Sequence, residues 1–276
     1  SVRDRPTRVA IEDFACPLDP AAAAAVLAAL PDQLAARSLR EVVSRVVAAH
    51  RGRRPVLVMC GGHVVKVGVP PCLVTLLERG VITHLALNGA AALHDVEIAR
   101  DGRTSEDGEA HLHAGTFGMV DETGDFMNRA MAEGARRGEG LGECWGRALS
   151  EEPARHVRTS LLAAAYRLRV PATVHVGIGT DTIHHHPHCD GAALGETALR
   201  DALRETFPGA FAQAPDEERG FARAFEAFLD GEFGPEVMQL VRSVTDAKSA
   251  DGRPLPTPEK RARKLAELCT PGTAVE

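Results

Sequence analysis

Lysine is scarce in this chain: only Lys66, Lys248, Lys260 and Lys264 occur among 276 residues, so Lys66 stands alone in the first 247. The other basic side chains are arginine, and 32 basic against 38 acidic residues leave a net charge of −6 and a pI near 6.1. With no basic stripe to neutralise phosphates, a nucleic-acid surface is not expected. Long apolar runs are also missing. Those near the N-terminus are too short for a signal peptide or a bilayer span, so the expected location is cytoplasmic and no membrane partner is expected. The six cysteines, at 16, 60, 72, 144, 189 and 269, include no C-x-x-C pair, which favours free thiols over a disulfide framework. One Trp and one Tyr say nothing of aromatic contacts to a substrate. No strict G-x-G-x-x-G or Walker sequence is present, so nucleotide binding has to be argued from context.

What the chain does have is ordinary globular composition, 44% hydrophobic and 25% charged, at a length suited to one large domain or a domain with a helical appendage. Residues 1–18 read as extended and proline-broken. Asp19-Pro20 then offers a helix cap followed by proline at the first helical position, and Ser38-Leu-Arg-Glu41 has the spacing of a capping box for a helix to His50. Pro55 to Cys60 is a continuous apolar run of buried parallel-strand type. A glycine turn, a helix from Pro70 to Leu77 and a second strand from Val81 to Leu87 complete a unit of βαβ length. Helices are expected over 91–98, 118–137, 143–150 and 160–168. A further strand begins at Pro171, and a nearly all-helical tail follows Glu196. The expected class is α/β, a Rossmann-like, mostly parallel sheet with helices on both faces. Its organisation would be a helical lead-in over 1–51, a core over 52–207 and a helical segment over 208–276.

Three stretches carry candidate chemistry, each following a strand, where open α/β sheets bind ligands. Gly61, Gly62 and His63 open a turn in which exposed N–H groups suit phosphate, and Lys66 adds a cation or, if desolvated, a nucleophilic amine. The competing reading is a tight turn with a solvated lysine. Asn88 and Gly89 occupy the same position after the second strand, and His94, with Asp95 and Glu97 nearby, is a candidate acid or base. Those acids equally suit a helix N-terminus as mere favourable charges. The third stretch, Ala172 to Glu196, places four of the twelve histidines in five positions. In an extended segment His184, His186 and His188 share one side, which suits a divalent metal such as zinc and, with it, a metal-dependent hydrolase or lyase. Histidine clusters also bind anions and cofactors without metal, and His184 and His186 are candidate proton carriers on that reading.

The order of these landmarks resembles the deoxyhypusine synthase family over about residues 50–200. The stretches that carry the resemblance are Gly61 to Gly68, Asn88-Gly-Ala-Ala-Ala-Leu-His-Asp95 and Asp190-Gly-Ala-Ala-Leu-Gly-Glu196. The resemblance implies an NAD-binding core, with the cofactor near Gly61, Gly62, Asn88, Gly89 and Asp190, and with Asp95 and Glu196 at acidic positions of the family's motifs. Family members oxidise a polyamine with NAD, transfer an aminobutyl group through an enzyme imine, and form oligomers with sites between subunits. The family's catalytic-lysine segment and its glycine-rich Lys-His motif have no counterpart here, and the third motif has one extra residue. The resemblance therefore implies a divergent, NAD-binding enzyme that acts on a small amine or amino-acid-derived substrate, by oxidation to an imine and then transfer, elimination or hydrolysis. It also implies a homo-oligomer, a dimer or tetramer. Deoxyhypusine formation itself is not expected. A non-catalytic ligand-binding relative is the third alternative.

Overall fold

The computed structural model describes residues 5–118 and 120–206. The chain divides into two units, Ser1–Ala202 and Leu203–Glu276. The helical segment expected over 208–276 lies outside the described residues. In chain order the elements are β1 (Thr7–Ala10), α1 (Pro20–Ala29), α2 (Leu34–Arg51), β2 (Leu57–Cys60), α3 (Gly62–Lys66), α4 (Pro70–Glu78), β3 (His84–Asn88), α5 (Gly89–Asp101), β4 (Arg103–Glu106), α6 (Gly108–Ala114), α7 (Asp121–Arg137), α8 (Leu141–Glu151), α9 (Leu161–Leu168), β5 (Ala172–His175) and α10 (Gly191–Thr206). No helix among the described residues is long and apolar enough to cross a membrane.

The class is α/β, with a parallel sheet of three strands in the order β2-β3-β5. Leu57 stands opposite His84 in one pair, and Leu85 opposite Ala172 in the other. Leu85, Ala86 and Leu87 of β3 and Ala172, Thr173 and Val174 of β5 are buried on both faces, which is why β3 reads as an unbroken apolar run, whereas the alternation of β5 comes from Thr173, buried although polar. β2 is different. Its Met59 is 71% exposed and Leu57 45%, so the expected cover of helices on both faces does not extend over this strand.

β1 and β4 form a second, antiparallel pair, with Thr7 opposite Glu106 and Ala10 opposite Arg103. Residues 1–18 were expected to be merely extended and no strand was expected at Arg103–Glu106, because Thr-Arg-Val-Ala and Arg-Thr-Ser-Glu are short and carry no apolar run. Only their mutual hydrogen bonds make them strands. The pairing also joins residues 7–10 of the lead-in to residues 103–106 of the core.

The helix starts follow their local chemistry. Asp19 accepts from the Ala21 and Ala22 amides and Pro20 takes the first helical position, so the alanine run of α1 forms although it buries no residue. The capping box expected at Ser38 is not used. α2 begins at Leu34, the Ser38 hydroxyl donates back to the Leu34 carbonyl at 3.5 Å, and Glu41 pairs with Arg45 instead. The five described cysteines are unpaired thiols.

The core is tied together by two buried carboxylates. Asp95, 1% exposed, accepts from the Ser160 hydroxyl at 2.6 Å and from the Leu161 and Leu162 amides at 2.8 and 3.1 Å, which joins α5 to the start of α9. Asp201 accepts from the Gly142 amide at 2.8 Å and the Val174 amide at 2.7 Å, which joins α10 to α8 and β5. Trp145, fully buried, donates its indole N–H to the Met127 carbonyl at 2.9 Å. At Gly142 a Cβ would overlap the Ala172 carbonyl, so the close approach of α8 to β5 requires glycine there. Gly142→Ala is expected to lower stability by about 2 kcal/mol through overpacking, measured by urea unfolding. Wild-type stability would show that α8 can move away.

Candidate active site

α5 starts where β3 ends, because Asn88 caps it by accepting from the Ala91 amide at 2.8 Å. Residues three and four apart on a helix share a face, so Gly89, Ala90, Leu93, His94 and Glu97 of α5 form one wall of a cavity of about 280 Å³. The other walls come from Arg5 ahead of β1, Lys66 of α3, Ser105 and Glu106 at the end of β4, the start of α7, and the loop segment 180–183. This volume suits a small molecule.

The floor is a charged cluster that water scarcely reaches. Glu97, 2% exposed, accepts from Arg5 Nη2 at 2.6 Å and the Thr123 hydroxyl at 3.1 Å on Oε1, and from the Thr104 hydroxyl at 2.5 Å on Oε2. Burial pushes its carboxyl pKa up, against the pull of Arg5 and these hydroxyls. Arg5 Nη1 also reaches Glu106 Oε1 at 3.3 Å, and that oxygen accepts from the Gly118 amide at 2.6 Å. Glu106 Oε2 is buried with no hydrogen-bond donor among the described residues, and the His111 ring lies 3.9 Å from it.

His94 stands above this floor. Its Nδ1 lies 2.7 Å from Thr104 Oγ1, and Nε2 has no hydrogen-bond partner among the described residues. Desolvation, with the positive fields of Lys66, Arg5 and His63, lowers its pKa to about 4, so the ring is neutral at pH 7. Gly62 makes room for it: a Cβ there would sit 3.1 Å from His94 Cδ2 and 3.2 Å from Ala90 Cβ.

At the other end of the cavity the Asp181 carboxylate packs against Gly89, where a Cβ would overlap it. Burial raises the Asp181 pKa, and its Oδ2 has no hydrogen-bond partner among the described residues. Gly89 is thus glycine to let a carboxylate approach the start of α5.

The residues singled out from sequence fall into three groups. Lys66, Gly89 and His94 line the cavity, while Gly61, Gly62, His63 and Asn88 lie beside it where β2 and β3 end. Asn88 Nδ2 lies 3.6 Å from the Cβ position of Gly61. Gly61, Gly62, Asn88 and Gly89 therefore meet on one edge, at the ends of β2 and β3.

The acids assigned to the cofactor are placed elsewhere. Asp95 is on the opposite side of α5, its oxygens taken up by Ser160, Leu161 and Leu162. Asp190 caps α10 by accepting from Ala192 and Ala193, and Glu196 is exposed and paired with Arg200.

The histidine segment is not extended, and this parts His184 from His186 and His188, whose rings stay in edge contact with centroids 5.1 Å apart. Thr182–His185 is a 3-10 turn that directs His184 back toward its own loop, where Nδ1 accepts from the Gly179 amide at 3.2 Å. His186 and His188 turn instead to α7, with His186 Nε2 3.6 Å from Asp121 and His188 Nδ1 2.6 Å from Asp125. Among the described residues no group of three or more His, Cys, Asp or Glu side chains is arranged as a metal site. None of these three histidines lines the cavity.

Arg5, Thr104, Glu106, Thr123 and Asp181 were missed as site residues. Glu97 had a signal, since it follows His94 by three positions in an expected helix. Arg5 had none, because only the β1–β4 pairing carries it to Glu97, 92 residues away. No family model matches the chain, and no curated protein matches it.

Proposed function

We propose that this chain is an enzyme whose substrate is a small amine or an amino-acid-derived amine, bound in the cavity beside His94. The observation that supports this reading is a pair of acidic acceptors at that cavity: among the described residues Glu106 Oε2 and Asp181 Oδ2 are buried without a hydrogen-bond partner, against one buried donor in the same state, Arg5 Nε. The formal charges of Arg5, Lys66, Glu97, Glu106 and Asp181 sum to −1, and a cationic ligand supplies both the missing charge and the missing hydrogens.

In this reading Asp181 and Glu106 hold the ammonium group, and the neutral ring of His94 accepts a hydrogen bond from it. Lys66 orients an anionic group of the substrate or cofactor. The Rossmann-like use of the sheet would place NAD along Gly61, Gly62, Asn88 and Gly89, the edge that also carries the resemblance. NAD, when bound, supplies the oxidation of a carbon beside nitrogen.

Calorimetric titration of the full chain with butylammonium, butyrate and NAD tests this. Saturable butylammonium binding is expected, weakened about tenfold by Asp181→Asn, which keeps the shape and removes the charge. Butyrate in place of butylammonium, or no binding of either butylammonium or NAD, would overturn the reading.

A further inference from the structure

We infer that Thr104 fixes His94 as its Nδ1–H tautomer, so that Nε2 is a permanent acceptor and the substrate group seated against it must be an N–H or O–H donor. The assignment comes from counting protons along one buried chain. Glu97 is held by the Arg5 guanidinium at 2.6 Å, and an ionised carboxylate only accepts. At 2.5 Å from Glu97 Oε2, the Thr104 hydroxyl therefore donates to it. A hydroxyl has one proton, so Thr104 Oγ1 is left as an acceptor toward His94 Nδ1, 2.7 Å away. Nδ1 carries the ring proton, and Nε2 keeps its lone pair.

The surroundings hold this chain in one state. Thr104 is fully buried on β4, and Glu97 has a further donor in Thr123 at 3.1 Å, so neither side chain has water to exchange partners with. Thr104 touches neither the cavity nor any ligand in it, and acts as a positioning residue through His94. A carboxylate or carbonyl oxygen facing Nε2 would meet lone pair against lone pair. An ammonium, amine or hydroxyl would be bound. This narrows the substrate class, and its use in catalysis rests on the cavity being the active site.

The test is nitrogen-15 NMR of histidine-labelled full chain near pH 7, with the His94 ring signals identified by their loss in His94→Gln. The wild type is expected to show a proton on Nδ1 and none on Nε2. Thr104→Ser, which retains the hydroxyl, is expected to preserve that pattern. Thr104→Val, similar in shape and suited to a strand, is expected to move the proton to Nε2 and weaken butylammonium binding about tenfold. A proton on Nε2 in the wild type, or an unchanged tautomer in Thr104→Val, overturns the inference. If the tautomer behaves as expected while butylammonium does not bind even the wild type, the inference stands and the proposed amine function fails.

Discussion

Asp95→Ala is expected to lower the free energy of unfolding by about 4 kcal/mol while leaving the cavity's ligand affinity unchanged in the molecules that remain folded. The substitution strips partners from the Ser160 hydroxyl and from the Leu161 and Leu162 amides, all buried at the start of α9. Each buried donor left unsatisfied costs about 1–3 kcal/mol, and the cavity left by the carboxyl group adds to this. Asp95→Asn retains an acceptor oxygen but loses the charge, so its expected cost is smaller, about 2 kcal/mol. Urea unfolding of the three proteins measures these differences. The cofactor role implied by the resemblance requires the reverse, near-native stability with NAD affinity lost, and that result would remove the capping role from Asp95.

His94 makes the second large contribution, through pH. Its folded pKa of about 4 lies below the ordinary 6.5. Between these values the unfolded chain binds a proton that the native ring does not, so stability falls as pH falls from 6.5 through 4. The full loss is about 3 kcal/mol, and above pH 6.5 the group contributes none. Asp95 opposes it. Its folded pKa, raised to about 6 chiefly by burial and against its three hydrogen bonds, means that the native state takes up a proton first. Its contribution is therefore present below pH 3.8 and lost as pH rises through about 6. The two slopes overlap, so the readout is a difference: His94→Gln and the wild type, unfolded in urea at half-unit steps from pH 7 to 4, should diverge by about 3 kcal/mol. Parallel curves would mean that His94 titrates normally and that the positive groups around it do not act on it.

Both expectations turn on residues adjacent in sequence. His94 and Asp95 were read together as a candidate base with an acid beside it, yet neighbouring positions on a helix point about 100° apart. α5 is covered on several sides, so His94 meets the cavity and Asp95 meets α9. The residue that does share the face of His94 is Glu97, three positions on. Periodicity shows which residues share a helix face, but not which face meets a cavity.

A similar limit applies to the histidine stretch. Counting His184, His186 and His188 on one side assumed an extended backbone, whose side chains alternate. The 3-10 turn at Thr182–His185 breaks that alternation, and Asp121 and Asp125, one turn apart on α7, attract the second and third rings. Asp181, just before the cluster, carries the group that reaches the cavity.

Local sequence was enough for the α/β class, the strands β2, β3 and β5, and the cap at Asp19, whereas the capping box read at Ser38 is not used and the caps at Asn88 and Ser160 were not read. It also marked the end of β3 and the start of α5 as a candidate site, and the start of α5 borders the cavity. These follow from local properties: apolar runs of strand length, capping side chains and helical spacing act over a few residues and can be read from a few residues. Tertiary structure alone decided that β1 pairs with β4, that Arg5 therefore reaches Glu97 and Glu106, and that Thr104 stands between His94 and Glu97. Those contacts join segments as much as 101 positions apart, 5 and 106. Short polar strands have no apolar pattern to announce them, and a buried ion pair depends on where the backbone carries each charge.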